Sequence, residues 1–540
     1  MAAVFEAGVS LRPAGAVVWW RRWPLLLVLV LGVVVPLSLP QLMYPMGWDQ
    51  ATYGYYAQEV LRGAVPYRDF WEINGPGNFA LYALVGLLLG PTPFTVNLLA
   101  IAETLLTTAL LYRLAAQWLG RRYAVATALI YGVSCQLGFD YWARAEPETL
   151  IGLLQVIMLL LVTAGWRGSW LSQVAAGVIA GLAVTVKPTA GVLLPIAVAC
   201  WFLVSPVPTW SGGMWLIARL GAGSAVVLLA TAGLLHTNGA LAPFIDQWQS
   251  YNGEYVKSWF SIGVVVVIRG LQSFLFVGPT PLLAVIGAVT IVRQGLSRSV
   301  HTFLVVWAAL AMLAVVAQGF RHDYHYNMVF PAASLLAAHL LLSTPWRALW
   351  PPGAMKRVAV CGMPIIYLLL MAVGNPVRVA ALGLAPLASI GVLPADAYRT
   401  AFNWRGHHTA SRQALVDYLV CHTDAGASVY VVGEPAAYFL ANVRSPIRFY
   451  HEVPLRYTTD PTSVLAEYQR QLEAAPPPQF IAFHDSPMDF YVPQRRALQS
   501  MLAPLLAEEY LPAYTADRVQ VFRHKGTKGG LSARCGVAPS

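Results

Sequence analysis

The first 375 residues alternate long apolar runs with short polar connections. A helix needs about 20 predominantly apolar residues to cross the roughly 30 Å hydrocarbon core of a bilayer. Runs approaching that length lie near residues 24–42, 94–114, 124–142, 149–165, 172–188, 190–204, 216–235, 271–292, 302–318, 328–343 and 357–374. The pattern predicts a mainly α, polytopic membrane helix bundle with about eleven transmembrane helices.

One further apolar run, FALYALVGLLLG at residues 79–90, lies between Gly77 and Pro91. It is short for a span, so we expect an interfacial or re-entrant helix. If this run does not cross, the basic loops share the cytoplasmic side, as the positive-inside rule requires. Their cations are Arg12, Arg21, Arg22, Arg113, Arg121, Arg122, Arg167, Arg219, Arg293, Arg298, Arg347, Lys356 and Arg357. The N-terminus is then cytoplasmic, and the first loop, at 43–93, is extracytoplasmic.

Beyond about residue 375 the pattern changes, because polar residues return and short apolar stretches replace the long runs. ASVYVVG, QFIAFH and RVQVFRH have the length and composition of strands, and HTASRQALVDYLVCHT has the pattern of a helix. We therefore predict two domains: a membrane domain at 1–375 and an extracytoplasmic α/β domain at 376–540.

Composition supports the membrane assignment, with 57% hydrophobic residues, 11% charged residues and a mean hydropathy of +0.57. The net charge of +10 does not indicate nucleic acid, because the cations lie between apolar runs rather than on one polar face. The run that begins at Pro24 lacks a small-residue cleavage site, so we interpret it as the first span. Among the five cysteines, only Cys421 and Cys535 could pair, since the other three lie in apolar runs.

Charged residues are concentrated in the first loop, where Asp49 follows the first span and Glu72 lies in RDFWEINGPG. Two carboxylates near a membrane face can act as a general base and as a metal ligand or substrate-orienting group. The alternative is a solvated loop whose aromatic residues form an interfacial belt.

A second cluster, DYWARAEPETL, lies between the third and fourth predicted spans and contains Asp140, Arg144, Glu146 and Glu148, of which Arg144 and Glu146 are the site candidates. Residues two apart do not share a helix face, so both could point at one ligand only from an extended or turning segment. The alternative is an interfacial salt bridge.

Two ionisable residues interrupt apolar sequence: Lys187 in AGLAVTVKPTAGVLLP and Glu103 in LLAIAETLL. Burying an unpaired charge in lipid is costly, so each is a functional candidate. The alternatives are a lysine that snorkels to the interface and a glutamate that hydrogen-bonds to neighbouring helices.

The late loop GFRHDYHYN groups cationic and hydroxyl side chains that suit a phosphate, which accepts several charge-assisted hydrogen bonds. The candidates are Arg321, His322, His325 and Tyr326. Zinc is the weaker interpretation, because two histidines three residues apart have no further His or Cys nearby. The loop could also be an interfacial aromatic segment with incidental histidines.

In their order along the chain, these segments resemble GT-C glycosyltransferases over roughly residues 20–345. The resemblance is to bacterial protein-mannosyltransferase-like enzymes and to the aminoarabinose and galacturonic acid transferases of lipid A. It rests on the early Asp, the carboxylate before a short helix, ARAEPE, KPTA, and HYN leading into FPAASLLAA. ARAEPE has Glu146 where the family often has Asp, and WEINGPG lacks the lysine of the family's EKP or HKP forms.

The resemblance implies a polyprenyl-phosphate sugar donor and transfer with inversion to an acceptor hydroxyl that Asp49 deprotonates. Lys187, Arg321 and His325 would bind the phosphate. Glu72, Arg144 and Glu146 would orient the acceptor or hold a divalent cation, with Glu72 and Glu146 as the metal candidates; no other cofactor is expected.

Three further expectations concern the setting of the protein and its rival functions. The acceptor could be a lipid, a glycan or a protein, and the setting a bacterial inner (cytoplasmic) membrane, whose lipids surround the spans. The main alternative is a polytopic transporter or lipid flippase with a coupling site at Lys187 and Glu103. A third is a non-catalytic partner whose external domain binds carbohydrate or peptide, for which Asp49 would be dispensable.

Overall fold

The computed structural model describes residues 23–166, 169–260, 277–297, 299–319, 322–343, 376–394, 408–485, 492–527 and 531–535, with isolated positions between these ranges. The predicted fold class is confirmed: the chain is mainly helical, with a small C-terminal sheet. The predicted boundary between residues 375 and 376 stays a prediction, and the predicted run at 357–374 lies almost entirely outside the described residues.

Every predicted run up to residue 343 contains a helix. These helices are α1 (Trp23–Ser38), α4 (Pro93–Trp118), α5 (Arg121–Leu137), α6 (Pro147–Gly165), α7 (Trp170–Val186), α8 (Leu193–Val204), α9 (Trp210–Thr237), α11 (Pro279–Arg293), α12 (Val300–Ala317) and α13 (Phe330–Ser343). Within the described residues, 5 helical segments are long and apolar enough to cross a membrane: Leu25–Met43 and helices α4, α6, α9 and α12. The protein is therefore a multi-pass membrane protein.

The first loop forms α2 (Trp48–Leu61) and α3 (Pro76–Leu89), while α10 (Leu241–Phe260) follows α9. Helix α3 covers residues 79–89 of the ambiguous run and has only 14 residues. The predicted run at 271–292 overlaps a shorter helix, because Gly278 adopts φ 114° and Pro279 begins α11. Gly-Pro is a helix start rather than a helix interior.

Small residues let the membrane helices approach closely. A Cβ atom at Gly177 of α7 would lie 2.3 Å from the carbonyl oxygen of Leu220 in α9. The Ser224 hydroxyl in α9 donates a hydrogen bond of 2.9 Å to the Gly177 carbonyl. In the buried core, the Trp307 indole of α12 donates to Gln155 of α6 at 2.8 Å. Such close packing and polar contacts hold helices together where lipid offers no hydrophobic driving force.

The C-terminal part forms one four-stranded sheet with the order β1–β2–β4–β3. Strands β1 and β2 are parallel, whereas β4 is antiparallel to both β2 and β3. The strands are β1 (Val429–Val432), β2 (Phe480–His484), β3 (Tyr510–Ala516) and β4 (Val519–His524). The helices of this part are α14 (Pro376–Ser389), α15 (Thr409–His422), α16 (Ala436–Ala441), α17 (Val453–Arg456), α18 (Pro461–Ala474) and α19 (Val492–Glu509).

A disulfide joins Cys421 in α15 to Cys535, across a sequence separation of 114 residues. The sequence had left open whether these two cysteines pair, and the structure joins them. Disulfides persist in oxidising compartments, so the bond agrees with an extracytoplasmic C-terminal domain.

The sheet domain packs directly on the first loop. Arg444 forms an ion pair with Glu59 of α2, with nitrogen and oxygen 2.6 Å apart. Gly54 of α2 faces the Phe439 ring, and a Cβ atom there would lie 2.5 Å from it. Trp71 donates its backbone N–H to the Arg448 carbonyl at 3.0 Å. The first loop is therefore enclosed between the membrane helices and the sheet domain.

The predicted topology can be tested with cysteines introduced at exposed positions, in a background where Cys135, Cys200 and Cys361 are serine. We expect Arg68→Cys to react with a membrane-impermeant maleimide from the extracytoplasmic side, because its side chain is 48% exposed in the first loop. We expect Gln294→Cys, beyond α11, to react only after permeabilisation. Labelling of residue 294 from outside would show that the sides have been misassigned.

Candidate active site

Asp49 lies in the first turn of α2, directly after a tight approach of the chain to the segment between α5 and α6. Gly47 precedes the helix, and its N–H donates to the Gln50 side chain at 2.7 Å. A Cβ atom at Gly47 would lie 2.9 Å from the Trp142 backbone, so the loop is closely packed here. The sequence places a carboxylate at a helix N-terminus, where the helix dipole favours negative charge.

The Asp49 carboxylate lies among charged groups from three distant parts of the chain. Burial raises its pKa to about 6, while the charge of Lys187 lowers it, Glu148 raises it and a hydrogen bond from Tyr324 lowers it. Asp49 nevertheless keeps partial solvent exposure, unlike Glu148, which has none. Asp49 is thus a partly exposed residue, and burial shifts the pKa of its carboxyl group towards neutral pH.

Lys187, Glu148 and His325 form a second group at the same place. The Lys187 Nζ lies 2.5 Å from Glu148 Oε1, and His325 Nε2 lies 3.8 Å from the same oxygen. The Lys187 side chain is 22% exposed, whereas the other two are buried. The ammonium group is consequently held by one buried carboxylate, while part of the Lys187 side chain remains exposed.

The GPG turn of the first loop explains why Lys187 reaches Asp49. A Cβ atom at Gly75 would lie 2.0 Å from the Thr185 carbonyl oxygen, and one at Gly77 would lie 2.4 Å from the Thr185 hydroxyl. The Gly75 N–H donates to the Val186 carbonyl at 3.1 Å. Helix α7 ends at Val186, so this contact brings Lys187 against the first loop. Only residues without a Cβ permit the contact.

Glu72 is buried and organises its own turn. Its Oε1 accepts hydrogen bonds from the Ile73 N–H at 2.6 Å and from the Asn74 N–H and side-chain amide, each at 2.8 Å. Its backbone N–H donates to Gln247 of α10 at 3.0 Å. Burial raises the pKa of Glu72 to about 7; the hydrogen bonds oppose that shift and the charge of Asp49 adds to it.

Arg144 and Glu146 lie close in sequence, but the structure gives them different partners. Ala145 between them adopts φ 49°, a left-handed conformation that turns the chain. Arg144 donates to the Gln136 carbonyl at 3.2 Å and lies over the Tyr44 ring at 4.7 Å from its centroid. Glu146 accepts a hydrogen bond of 3.3 Å from the Tyr53 hydroxyl.

Glu146 belongs to the surroundings of Asp49. Burial raises the pKa of Glu146 well above its ordinary value, and the charges of Asp49 and Glu148 add to that shift, while Lys187 opposes it. Of the predicted pair, the structure therefore brings Glu146 to Asp49, while Arg144 packs towards α5 and Tyr44.

The predicted residues of the late loop also have different partners. His325 reaches Glu148, and the His322 ring stacks on Tyr324 with centroids 5.0 Å apart. The Tyr326 hydroxyl instead donates to the Gly270 carbonyl at 2.6 Å, away from this group. Arg321, predicted as a phosphate ligand, lies outside the described residues.

The predicted metal site finds no supporting geometry in the part of the chain that the structure describes, where no three His, Cys, Asp or Glu side chains are arranged to share an ion. One Glu72 oxygen accepts three N–H groups, and Glu146 accepts from Tyr53. Lys187 and Glu103, the coupling pair of the transporter alternative, lie in different surroundings. Lys187 contacts Glu148, whereas Glu103 is buried in α4.

Two further residues of the site, Glu148 and Tyr324, belong to the predicted clusters, but neither was assigned a role from the sequence. Both stand in the segments that the sequence had indicated. Glu148 lies in the first turn of α6, where an acidic residue is usually solvated. The sequence does not show its contact with Lys187, which the structure reveals. Tyr324 is one of several aromatics in its loop, so composition alone carried no signal for it.

Comparisons with known proteins now bear on this site. Residues 74–236 match the family model of dolichyl-phosphate-mannose-protein mannosyltransferases. No curated protein matches the chain. The family match contains α3, Lys187 and the ARAEPE segment.

Solved structures share the fold. ArnT from Cupriavidus metallidurans bound to undecaprenyl phosphate is 17% identical, with a TM-score of 0.55, over 92% of this chain and 97% of that one. Its apo form gives 18% identity and a TM-score of 0.52, over 93% and 97%. The Archaeoglobus fulgidus oligosaccharyltransferase with Zn and sulfate gives 14% identity and a TM-score of 0.50, over 94% and 73%.

These proteins are GT-C glycosyltransferases, so the resemblance predicted from the sequence is confirmed. The matches give no support to the transporter alternative.

Proposed function

We propose that this protein transfers a sugar from a polyprenyl phosphate to an extracytoplasmic acceptor hydroxyl, with inversion and with Asp49 as general base. The observation that carries the proposal is the position of Asp49, a partly exposed residue whose carboxylate interacts electrostatically with Lys187 at the face of a membrane bundle. Lys187 in turn forms an ion pair with Glu148. ArnT, whose fold this chain shares, has been crystallised with undecaprenyl phosphate.

Asp49 supports the basic role through its titration. A general base works best when its pKa lies near the working pH, because it is then both ionised and able to hold a proton. Burial raises the pKa of Asp49 to about 6, so most of the group is ionised at pH 7. A hydroxyl placed at Asp49 would lose its proton as it attacks the anomeric carbon.

Lys187 and His325 are the described groups that would meet the leaving phosphate. Both contact Glu148, which holds them together at a distance of 2.5 Å from the ammonium and 3.8 Å from the imidazole. Preorganised cationic groups stabilise charge that develops in a transition state. Arg321 would join them, and attack opposite the phosphate would invert the anomeric centre.

Glu72 and Glu146 would orient the acceptor; in support of this role, both are buried and both interact with the charge of Asp49. Arg144 would act on the acceptor only through the turn it holds, and His322 and Tyr326 would support the late loop. The oligosaccharyltransferase was crystallised with Zn. A divalent ion at Glu72 and Glu146 fits the described side chains poorly, and no step here depends on one.

The proposal is tested by reconstituting the purified protein in vesicles with a polyprenyl-phosphate sugar and a panel of lipid, glycan and peptide acceptors. We expect acceptor-dependent release of polyprenyl phosphate and a product whose anomeric configuration, read by NMR, is opposite to that of the donor. Retention would contradict direct displacement. Movement of the donor across the vesicle without any transfer would favour the transporter. The setting we propose is a bacterial inner membrane.

A further inference from the structure

The sheet domain contacts the backbone beside both active-site carboxylates. The Arg412 side chain of α15 donates from Nη1 to the Met46 carbonyl at 2.6 Å, three residues before Asp49. The Arg448 carbonyl accepts the N–H of Trp71, the residue before Glu72, at 3.0 Å. Both contacts join the C-terminal domain to the first loop.

His451 links the same two segments through its ring. It stacks on Trp48, with centroids 5.6 Å apart, and meets Trp71 edge to face, also at 5.6 Å. Trp48 precedes Asp49 and Trp71 precedes Glu72. Burial lowers the pKa of His451 to about 3, so the ring is neutral at neutral pH and acts by packing.

The contact made by Arg412 is the most firmly fixed of these, because its side chain is buried and forms an ion pair with a residue of its own domain. Its Nε lies 2.9 Å from Oε2 of Glu434, a residue just beyond β1, and both side chains are over nine-tenths buried. A buried ion pair fixes the guanidinium group, and the fork of an arginine can meet a carboxylate and a carbonyl together.

We propose that Arg412 is a positioning residue for Asp49: the extracytoplasmic domain, through Arg412 and its partner Glu434, fixes the Met46–Gly47 backbone that sets the direction of the Asp49 side chain. Gln50 holds this turn from inside, accepting from the Gly47 N–H at 2.7 Å and donating to the Tyr141 carbonyl at 3.2 Å. Arg412 holds it from outside. A displacement of about 1 Å at a reacting group can cost about a hundredfold in rate. This inference rests on the proposed function only for its kinetic test.

The first experiment is independent of activity and uses the full-length protein in lipid nanodiscs. Hydrogen–deuterium exchange of the peptide covering 44–54 should be at least about tenfold faster in Arg412→Met than in the wild type. The amides of Gly47 and Ala51, which donate to Gln50 and to the Gly47 carbonyl, report the turn directly. Arg470→Ala, which removes a 71% exposed arginine of the same domain, is the matched control and should leave this peptide unchanged. Unchanged exchange in Arg412→Met would overturn the proposal.

The second experiment separates kcat from binding. Arg412→Met should lower kcat for sugar transfer about tenfold to a hundredfold, while the donor Kd stays within about twofold of the wild type. Arg412→Lys keeps a cation and one donor, so it should recover part of kcat, and it serves as the test variant if Arg412→Met fails to fold. Equal losses of kcat and donor affinity would indicate general damage and contradict a positioning role.

The Asp49→Asn variant distinguishes a failure of the positioning inference from a failure of the proposed function. If Asp49→Asn is inactive and both Arg412 variants transfer normally, the positioning inference fails while the proposed function stands. If Asp49→Asn is fully active, the proposed base fails, and the exchange experiment alone decides whether Arg412 holds the turn.

Discussion

Asp49→Asn is expected to fold, insert and bind donor normally, and to transfer sugar at least about a hundredfold more slowly than the wild type. A positioned general base contributes typically about 10² to 10⁴ in rate, and asparagine keeps the size of the side chain while removing its basicity. The measurement compares kcat and donor Kd in the same reconstituted vesicles. Asp69→Asn, at an exposed acid of the same loop, should transfer at close to the wild-type rate.

The role of Asp49 as general base also predicts how the transfer rate of the wild type depends on pH. Burial raises the pKa of Asp49 to about 6, and the base must be ionised to accept a proton. Transfer should therefore fall as the pH drops through about 6, and Asp49→Asn should lack this limb. A residual rate in Asp49→Asn that keeps the wild-type limb would move the basic role to Glu72 or Glu146.

Lys187→Met is expected to weaken donor binding about tenfold or more and to destabilise the protein, for two separable reasons. The first is the loss of a phosphate contact, for which a hydrogen bond to a charged group is worth about 1.5 to 3 kcal/mol. The second is that Glu148, which is fully buried, loses a partner 2.5 Å away. Leaving a buried charge uncompensated costs about 3 to 5 kcal/mol.

The double variant Lys187→Met, Glu148→Gln separates these effects. Removing both charges should restore the thermal unfolding midpoint towards that of the wild type, because no buried carboxylate is left alone. Donor affinity should remain low, because the phosphate ligand is still missing. Recovery of both quantities together would show that Lys187 acts only as the structural partner of Glu148. Unfolding followed by intrinsic fluorescence and donor binding by titration supply the two readouts.

The membrane fold was predictable because its signal is local. Each apolar run can be recognised from its own residues. Gly278 with Pro279 is one point where a run and a helix differ, since Gly278 adopts φ 114°. The sheet domain was predictable as α/β from its short strands. The pairing order β1–β2–β4–β3 was not, because register depends on contacts between segments far apart in sequence.

The sequence predicted which residues belong to the site better than it predicted the contacts between them. Asp49 and Lys187 stood out because charges beside or within apolar sequence are costly. That Lys187 would bond to Glu148 depends on the approach of Gly75 to the end of α7, which no pattern in either segment reveals. The side chains of Arg144 and Glu146 have different partners because Ala145 between them adopts a left-handed conformation. The sequence ARAEPE does not predict that conformation.

The disulfide between Cys421 and Cys535 also has a consequence for the biogenesis of the protein. All four strands lie between the two cysteines, so the second thiol emerges from the ribosome after the last strand. If the sheet domain is extracytoplasmic, as predicted, the bond can close only after that stretch has been exported, under the thiol-oxidising machinery of that compartment. Cells deficient in that machinery should accumulate a fully inserted chain whose sheet domain lacks this covalent closure. If the domain holds the Asp49 turn, the yield of active enzyme would then depend on oxidative maturation rather than on membrane insertion.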